Sequence, residues 1–177
     1  ANAQSGSAVG SAGDVNGDGY SDVMVGAPYY DNGQTDEGAA FVYHSSAAGL
    51  SPTPAIVLES NQVNAQSGSA VASGGDLNGD GYSDVIIGIP LYDNGQTDEG
   101  LTLIYHGSAT GLSWLPALTL ESHQIDALLG RSVSSAGDVN GDGYSDVILG
   151  APYYYNGQTQ EGGAFFYKAR PAGHSQT

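Results

Sequence analysis

Apolar and polar residues alternate along this chain in short runs, and no stretch sustains the 3.6-residue apolar period of a helix. Residues 7–13, Ser-Ala-Val-Gly-Ser-Ala-Gly, alternate among small side chains and suit a crowded inner strand. Asp22-Val-Met-Val-Gly26 is a β-branched run, and Gly26-Ala-Pro28 ends it because proline has no N–H for a ladder. A polar turn over residues 31–37 leads to Gly38-Ala-Ala-Phe-Val-Tyr43, a third strand, and Ala55-Ile-Val-Leu58 forms a fourth. Asn-Gly and Ala-Gly-Leu-Ser-Pro turn signals separate these runs at the spacing of all-β folds. Four short antiparallel strands laid from inner to outer describe the blade of a β-propeller.

The same pattern returns twice, 62 residues on each time. Asp14-Val-Asn-Gly-Asp-Gly-Tyr-Ser-Asp22 recurs from Asp76 to Asp84 and from Asp138 to Asp146. Gly26-Ala-Pro28 returns as Gly88-Ile-Pro90 and Gly150-Ala-Pro152, and Asn32–Thr35 as Asn94–Thr97 and Asn156–Thr159. Substitutions between copies exchange apolar for apolar, as in Met24/Ile86/Ile148 and Val42/Ile104/Phe166, which marks shared buried positions. A unit this short does not close a core alone and needs neighbours for its second face. The expected organisation is therefore three blades, at residues 1–62, 63–124 and 125–177, with the third cut before its fourth strand. Propellers close with about four to eight blades. The array is thus expected to belong to a longer chain, or to pair as a homodimer that completes a ring through its open edges.

The nine-residue acidic stretch carries the chemistry. Calcium takes about six to eight oxygen ligands with flexible geometry, and aspartate or asparagine at positions one, three and five of a tight loop supplies them. In the first copy these are Asp14, Asn16 and Asp18. Gly19 makes the turn, the Tyr20 carbonyl follows, and Asp22 closes the set. Asp76, Asn78, Asp80, Tyr82 and Asp84 take the same roles in the second copy, and Asp138, Asn140, Asp142, Tyr144 and Asp146 in the third. Three Ca2+ sites, one per repeat, are expected. A helical EF-hand needs glutamate at position twelve, where this chain has Val25, Ile87 and Leu149. Without a cation, three clustered carboxylates repel one another. Magnesium fits less well, because it demands rigid octahedral geometry and keeps its waters.

Net charge reinforces that reading. The chain carries −16 from 3 basic and 19 acidic residues, and nine of the 19 carboxylates lie in the three loops. Three calcium ions would bring the balance from −16 to about −10. So few basic residues exclude a nucleic-acid surface and disfavour an anionic membrane surface. No apolar run approaches the roughly 20 residues of a membrane helix, so no membrane insertion is expected. The absence of cysteine removes disulfides, thiol nucleophiles and cysteine-based zinc sites.

With these motifs in place, the repeat resembles the FG-GAP repeat, the blade of the integrin α-subunit propeller and of many bacterial surface and secreted proteins. Gly26-Ala-Pro28 and Gly150-Ala-Pro152 match the GAP part, and Gly88-Ile-Pro90 departs by one residue. Leu129-Gly130 approaches the FG part, while Ser5-Gly6 and Ser67-Gly68 carry serine in place of phenylalanine. The acidic loop matches the family's calcium pattern in all three copies. The resemblance implies metal loops on the lower face of the disc and partner recognition on the upper one. There Tyr29, Tyr30, Tyr92, Tyr153, Tyr154 and Tyr155 are candidate anchors for a protein or glycan ligand, weighed against simple packing between blades. It also implies a calcium-stabilised, non-enzymatic adhesion module, extracellular or at the cell surface. The rival reading is the propeller portion of a secreted hydrolase or a lectin-like, carbohydrate-binding protein.

Nothing in the sequence assembles a catalytic centre. No nucleophile elbow, zinc-protease helix or phosphate loop occurs. Asp31–Thr35 reads as a structural turn rather than the sialidase Asp-box. The pairs Asp36-Glu37 and Asp98-Glu99 become Gln160-Glu161 in the third copy. His44 and His106 are expected to be polar ends of third strands, and His123 and His174 have no evident partner along the chain.

Overall fold

The computed structural model describes residues 2–158 and 160–170; His174 lies outside them. Eleven strands and no helix are present among these residues. The first sheet holds β1 (Ala8–Gly13), β2 (Asp22–Ala27), β3 (Ala39–Tyr43) and β4 (Ile56–Glu59). The second holds β5 (Ala70–Gly75), β6 (Asp84–Ile89), β7 (Leu101–Tyr105) and β8 (Leu118–Glu121). The third holds β9 (Ser132–Gly137), β10 (Asp146–Ala151) and β11 (Gly163–Tyr167). Each sheet is an antiparallel meander in sequence order, of four, four and three strands, and the set does not close. Inner strand β1 packs beside β5, and β5 beside β9.

Alternation along the strands decides how the sheets stack. Met24 and Val42 point from the first sheet onto Val85, Ile87, Leu103 and Tyr105 of the second, in one buried cluster. Ile86 and Ile104 face Val147, Leu149, Phe165 and Tyr167 of the third in the same manner. The equivalent Ile148 and Phe166 face outward and are 41% and 44% exposed. On the opposite flank, Val23, Val25, Phe41 and Tyr43 of the first sheet are only half-buried. The array thus ends in two unlike apolar faces, each a copy of a face that is covered inside it.

This asymmetry yields a direct test. Replacing Ile86 by aspartate removes a fully buried side chain and buries a charge, and should cost at least about 3 kcal/mol in a urea melt. Ile148→Asp is expected to stay within about 0.5 kcal/mol of the parent in the monomer. Equal losses at the two positions would mean that the third sheet's outer face is already covered.

The GAP glycines have a steric role. A Cβ on Gly26 would stand 2.0 Å from the carbonyl oxygen of Gly68, and one on Gly88 would stand 2.0 Å from that of Gly130. The glycine one residue before the end of a blade's second strand therefore lets the next blade's opening turn lie against it. Around this contact, the chain before each new inner strand runs beside its predecessor, with Ser67 N–H donating to Glu37 O at 2.9 Å and Leu129 N–H to Glu99 O at 3.2 Å. Gln62 adds a side-chain clip between blades, donating to Asp93 O at 2.8 Å and accepting from Asp93 N–H at 2.7 Å. Gln124 holds the Tyr155 backbone in the same way.

Candidate metal centre

The acidic loops join β1 to β2, β5 to β6 and β9 to β10, at the end of the sheets opposite the tyrosine-bearing turns. Each leaves its inner strand through a bulge: Ser11 pairs with Val23 and Gly13 with Asp22, so Ala12 is the extra residue. The first aspartate then organises the turn. Asp14 Oδ1 accepts from Gly17 N–H at 2.7 Å and Asp18 N–H at 3.1 Å, and Oδ2 accepts from Gly19 N–H at 2.8 Å. Asp76 and Asp138 repeat the set. Gly19 sits at φ 89° and Gly17 at φ 75°, backbone shapes that favour glycine. For Asp138 the N–H groups of Gly143, Gly141, Asp142 and Asn140 hold the carboxyl below its ordinary range, so it is ionised at neutral pH.

Asp22, Asp84 and Asp146 are different in kind. Each is fully buried at the start of its second strand. Asp84 Oδ2 accepts from Leu77 N–H at 2.8 Å, and Oδ1 from Gly107 N–H at 2.9 Å. Asp22 binds Val15 N–H and Ser45 N–H, and Asp146 binds Val139 N–H and Ala169 N–H. The closing aspartate therefore ties the loop to the chain that leaves the third strand. Burial pushes the Asp84 carboxyl up to about 6, against the pull of those two N–H groups. A carboxylate so placed gains from any positive charge brought beside it.

Neighbouring loops are linked. Ser83 N–H donates to Asp14 O at 2.9 Å, and Ser145 N–H to Asp76 O at 3.0 Å. A Cβ on Gly17 would stand 2.5 Å from the Tyr82 ring, and one on Gly79 would stand 2.4 Å from that of Tyr144. Each loop glycine is thus the seat of the next blade's tyrosine. Tyr20 meets no such glycine among the described residues and is 44% exposed. Sequence reading assigned the tyrosine only a carbonyl; its ring as an inter-blade wedge was legible only once the blades were placed side by side.

The donor set of each loop fits calcium: hard oxygens only, from carboxylates, an asparagine amide and a backbone carbonyl. The three carboxylates of a loop are nevertheless not drawn into a single cluster. Among the described residues, the only trio of ligand atoms from His, Asp or Glu lying within 4.8 Å of one another is Glu99, Glu121 and His123, at the other end of the sheets. His123, without an evident partner in the sequence, thus has two. Glu37 and Glu99 are likewise more than turn residues: both are fully buried, and Oε1 of each accepts two backbone N–H groups.

The tyrosines divide. Tyr30 and Tyr154 pack edge-on against Phe41 and Phe165 of their own blades, with centroids 5.3 and 4.9 Å apart, and Tyr92 packs onto the core. Tyr153 and Tyr155 are exposed. With Leu91, Ile125 and Leu128 and the carboxylates of Asp98 and Asp126, they line a cavity of about 490 Å³ between the second and third blades. Burial, helped by Asp93 and Asp126, raises the Asp98 carboxyl above its usual range.

Repeated antiparallel sheets, each with an acidic loop after its inner strand, define a blade-array protein of the integrin-like β-propeller class. The FG-GAP repeat profile matches residues 5–43, 67–105 and 129–167. The chain belongs to the FG-GAP repeat family. It is 38% identical over 146 residues to mouse (Mus musculus) integrin alpha-IIb, which covers 78% of this chain and 14% of that protein. Mouse integrin alpha-8 and chicken (Gallus gallus) integrin alpha-V are each 34% identical over 167 residues, 89% of this chain and 15% of each relative. The chain therefore spans about one seventh of the length of these relatives. No helix of the described residues is long and apolar enough to cross a membrane.

Proposed function

We propose that this chain is a calcium-stabilised segment of an integrin-like propeller that recognises a protein or glycan ligand outside the cell, without catalysis. The observation that carries the reading is the threefold acidic loop, set into matching bulges and locked to its neighbours, on a family background shared with integrin alpha subunits. Calcium at each loop would be held by Asp14, Asn16, Asp18, the Tyr20 carbonyl and Asp22, and by their counterparts Asp76, Asn78, Asp80, Tyr82 and Asp84, and Asp138, Asn140, Asp142, Tyr144 and Asp146. Bound there, it supplies charge neutralisation and a fixed loop shape.

Recognition is assigned to the opposite end, where Tyr153 and Tyr155 border the cavity. Exposed tyrosines offer flat apolar area with a polar tip, the combination that anchors peptides and sugars. Repetition of the same groups in every blade speaks against an active site, whose groups converge once. The outer faces formed by Ile148 and Phe166 and by Val23, Val25, Phe41 and Tyr43 fit a further blade, supplied by a longer chain or by a second copy. The boundaries 1–62, 63–124 and 125–177 are taken as the blade units.

A protein and glycan array probed with the chain in calcium tests the recognition. Binding that Tyr155→Ala reduces at least about tenfold, with an unchanged melting curve, supports this face. Binding indifferent to Tyr155 and lost only with the loop aspartates would move the ligand to the calcium end. Light scattering separates the two sources of a fourth blade: a dimer that Ile148→Asp dissolves supports ring completion by two copies, and a monomer assigns the open faces to a longer chain.

A further inference from the structure

At the end of the sheets away from the acidic loops, the second blade gathers three groups of another chemistry. Glu99 closes the turn before β7, Glu121 ends β8, and His123 lies two residues beyond it. His123 Nδ1 stands 3.5 Å from Glu121 Oε2 and 3.8 Å from Glu99 Oε2. These ligand atoms all lie within 4.8 Å of one another. Tetrahedral zinc bonded to nitrogen and oxygen at about 2.0–2.2 Å keeps its ligands roughly 3.3 Å apart, so the three atoms must draw in by at most about 1.5 Å.

The second observation is an orphaned oxygen. Glu99 is fully buried, and its Oε2 has no hydrogen-bond partner, although Oε1 is held by Asn94 N–H at 2.6 Å and Gln96 N–H at 3.2 Å. A buried carboxylate oxygen without a partner is costly, and this one is aimed at the His123 ring. The surroundings hold the carboxylates in place: Asn94 Nδ2 donates to both oxygens of Glu121 at 2.9 Å. Such outer contacts orient the ligands of metal sites. Glu121 is 14% exposed and His123 77%, so the cup opens to solvent on the imidazole side.

We propose that Glu99, Glu121 and His123 form a site for a divalent transition metal, with Zn2+ as its best-matched ion, distinct from the calcium loops. Imidazole with two carboxylates suits zinc and its neighbours, whereas calcium takes oxygen donors alone. The other blades supply the control. The first blade repeats the cup with Glu37 and Glu59 and keeps an orphaned Glu37 Oε2, but asparagine stands at position 61 where the second blade has His123. Asn61 and His123 adopt the same backbone, at φ 56° and 54°, so a histidine fits there without new strain. The third blade has Glu161, exposed, and no fourth strand among the described residues.

Calorimetric titration of the chain with Zn2+ in excess calcium tests this. One zinc should bind, with affinity falling at least about tenfold in His123→Asn, the first blade's own residue. Asn61→His should raise the stoichiometry from one to two. Glu121→Gln reads the carboxylate arm without touching the buried Glu99, and should also lose at least about tenfold. Zinc binding that survives both His123→Asn and Glu121→Gln would place the ion elsewhere and overturn the site. So would an absence of zinc binding in the parent chain.

Discussion

Stripping divalent ions with EDTA should lower the melting temperature of this chain by roughly 15–30 °C, and calcium alone should restore it. Each loop filled at about 100 times its dissociation constant adds roughly 2.7 kcal/mol to the folded state. Three loops give about 8 kcal/mol, and for a chain of this size each kcal/mol moves the midpoint by about 2–4 °C. Whole domains are stable by only about 5–15 kcal/mol, so the metal-free chain would stand near the edge of folding. The opposing contribution is the loop's own backbone: three N–H groups already hold Asp14 and its counterparts in a turn. A melt unchanged in EDTA would mean that these bonds alone hold the turn and that the carboxylates tolerate one another without a cation. Restoration by zinc but not calcium would assign the effect to the Glu99 cup instead.

Gly88→Ala is the substitution expected to do most damage per atom added. Its Cβ would enter the space of the Gly130 carbonyl oxygen, 2.0 Å away, in a turn that Gly130 N–H ties to Gly150 O at 3.1 Å. The second and third blades would have to separate at their tightest point, at a cost of at least about 3 kcal/mol. Gly150→Ala makes the comparison clean. There the nearest obstacle is the Ser132 hydroxyl at 2.3 Å, a side chain free to rotate, with no following turn in contact. Chemical denaturation of the two variants should therefore differ by several fold in lost stability. Equal losses would show that the glycine matters for its own backbone and not for the joint between blades.

Strand positions and their order within each sheet were legible because hydrophobic alternation and turn residues agree at every copy, and a fixed period removes most alternative topologies. The strands fall within a residue or so of their expected ends, as at Ala8–Gly13 and Ile56–Glu59. The acidic stretches were legible as the turns between first and second strands. What escaped was everything that depends on a neighbour. Asp22 reads as a ligand from spacing, yet its burial and its bond to Ser45 N–H arise only when the third strand returns past it. Gln62 looks like an ordinary linker residue until Asp93 of the next blade lies beside it. His123 showed no evident partner in the sequence, although Glu121 stands two residues before it, and Glu99 joins the pair only through the fold of the β7–β8 hairpin. Chain-local patterns carry the elements; contacts across long separations carry the chemistry.

The joints between blades are all of one kind, glycine against carbonyl and apolar face against apolar face, so this architecture grows by counting. A gene encoding near-identical units in a fixed frame can slip by one unit during replication. The product then presents no surface that its neighbours have not already met. Adding or removing one such unit therefore calls for no new kind of seam between neighbours.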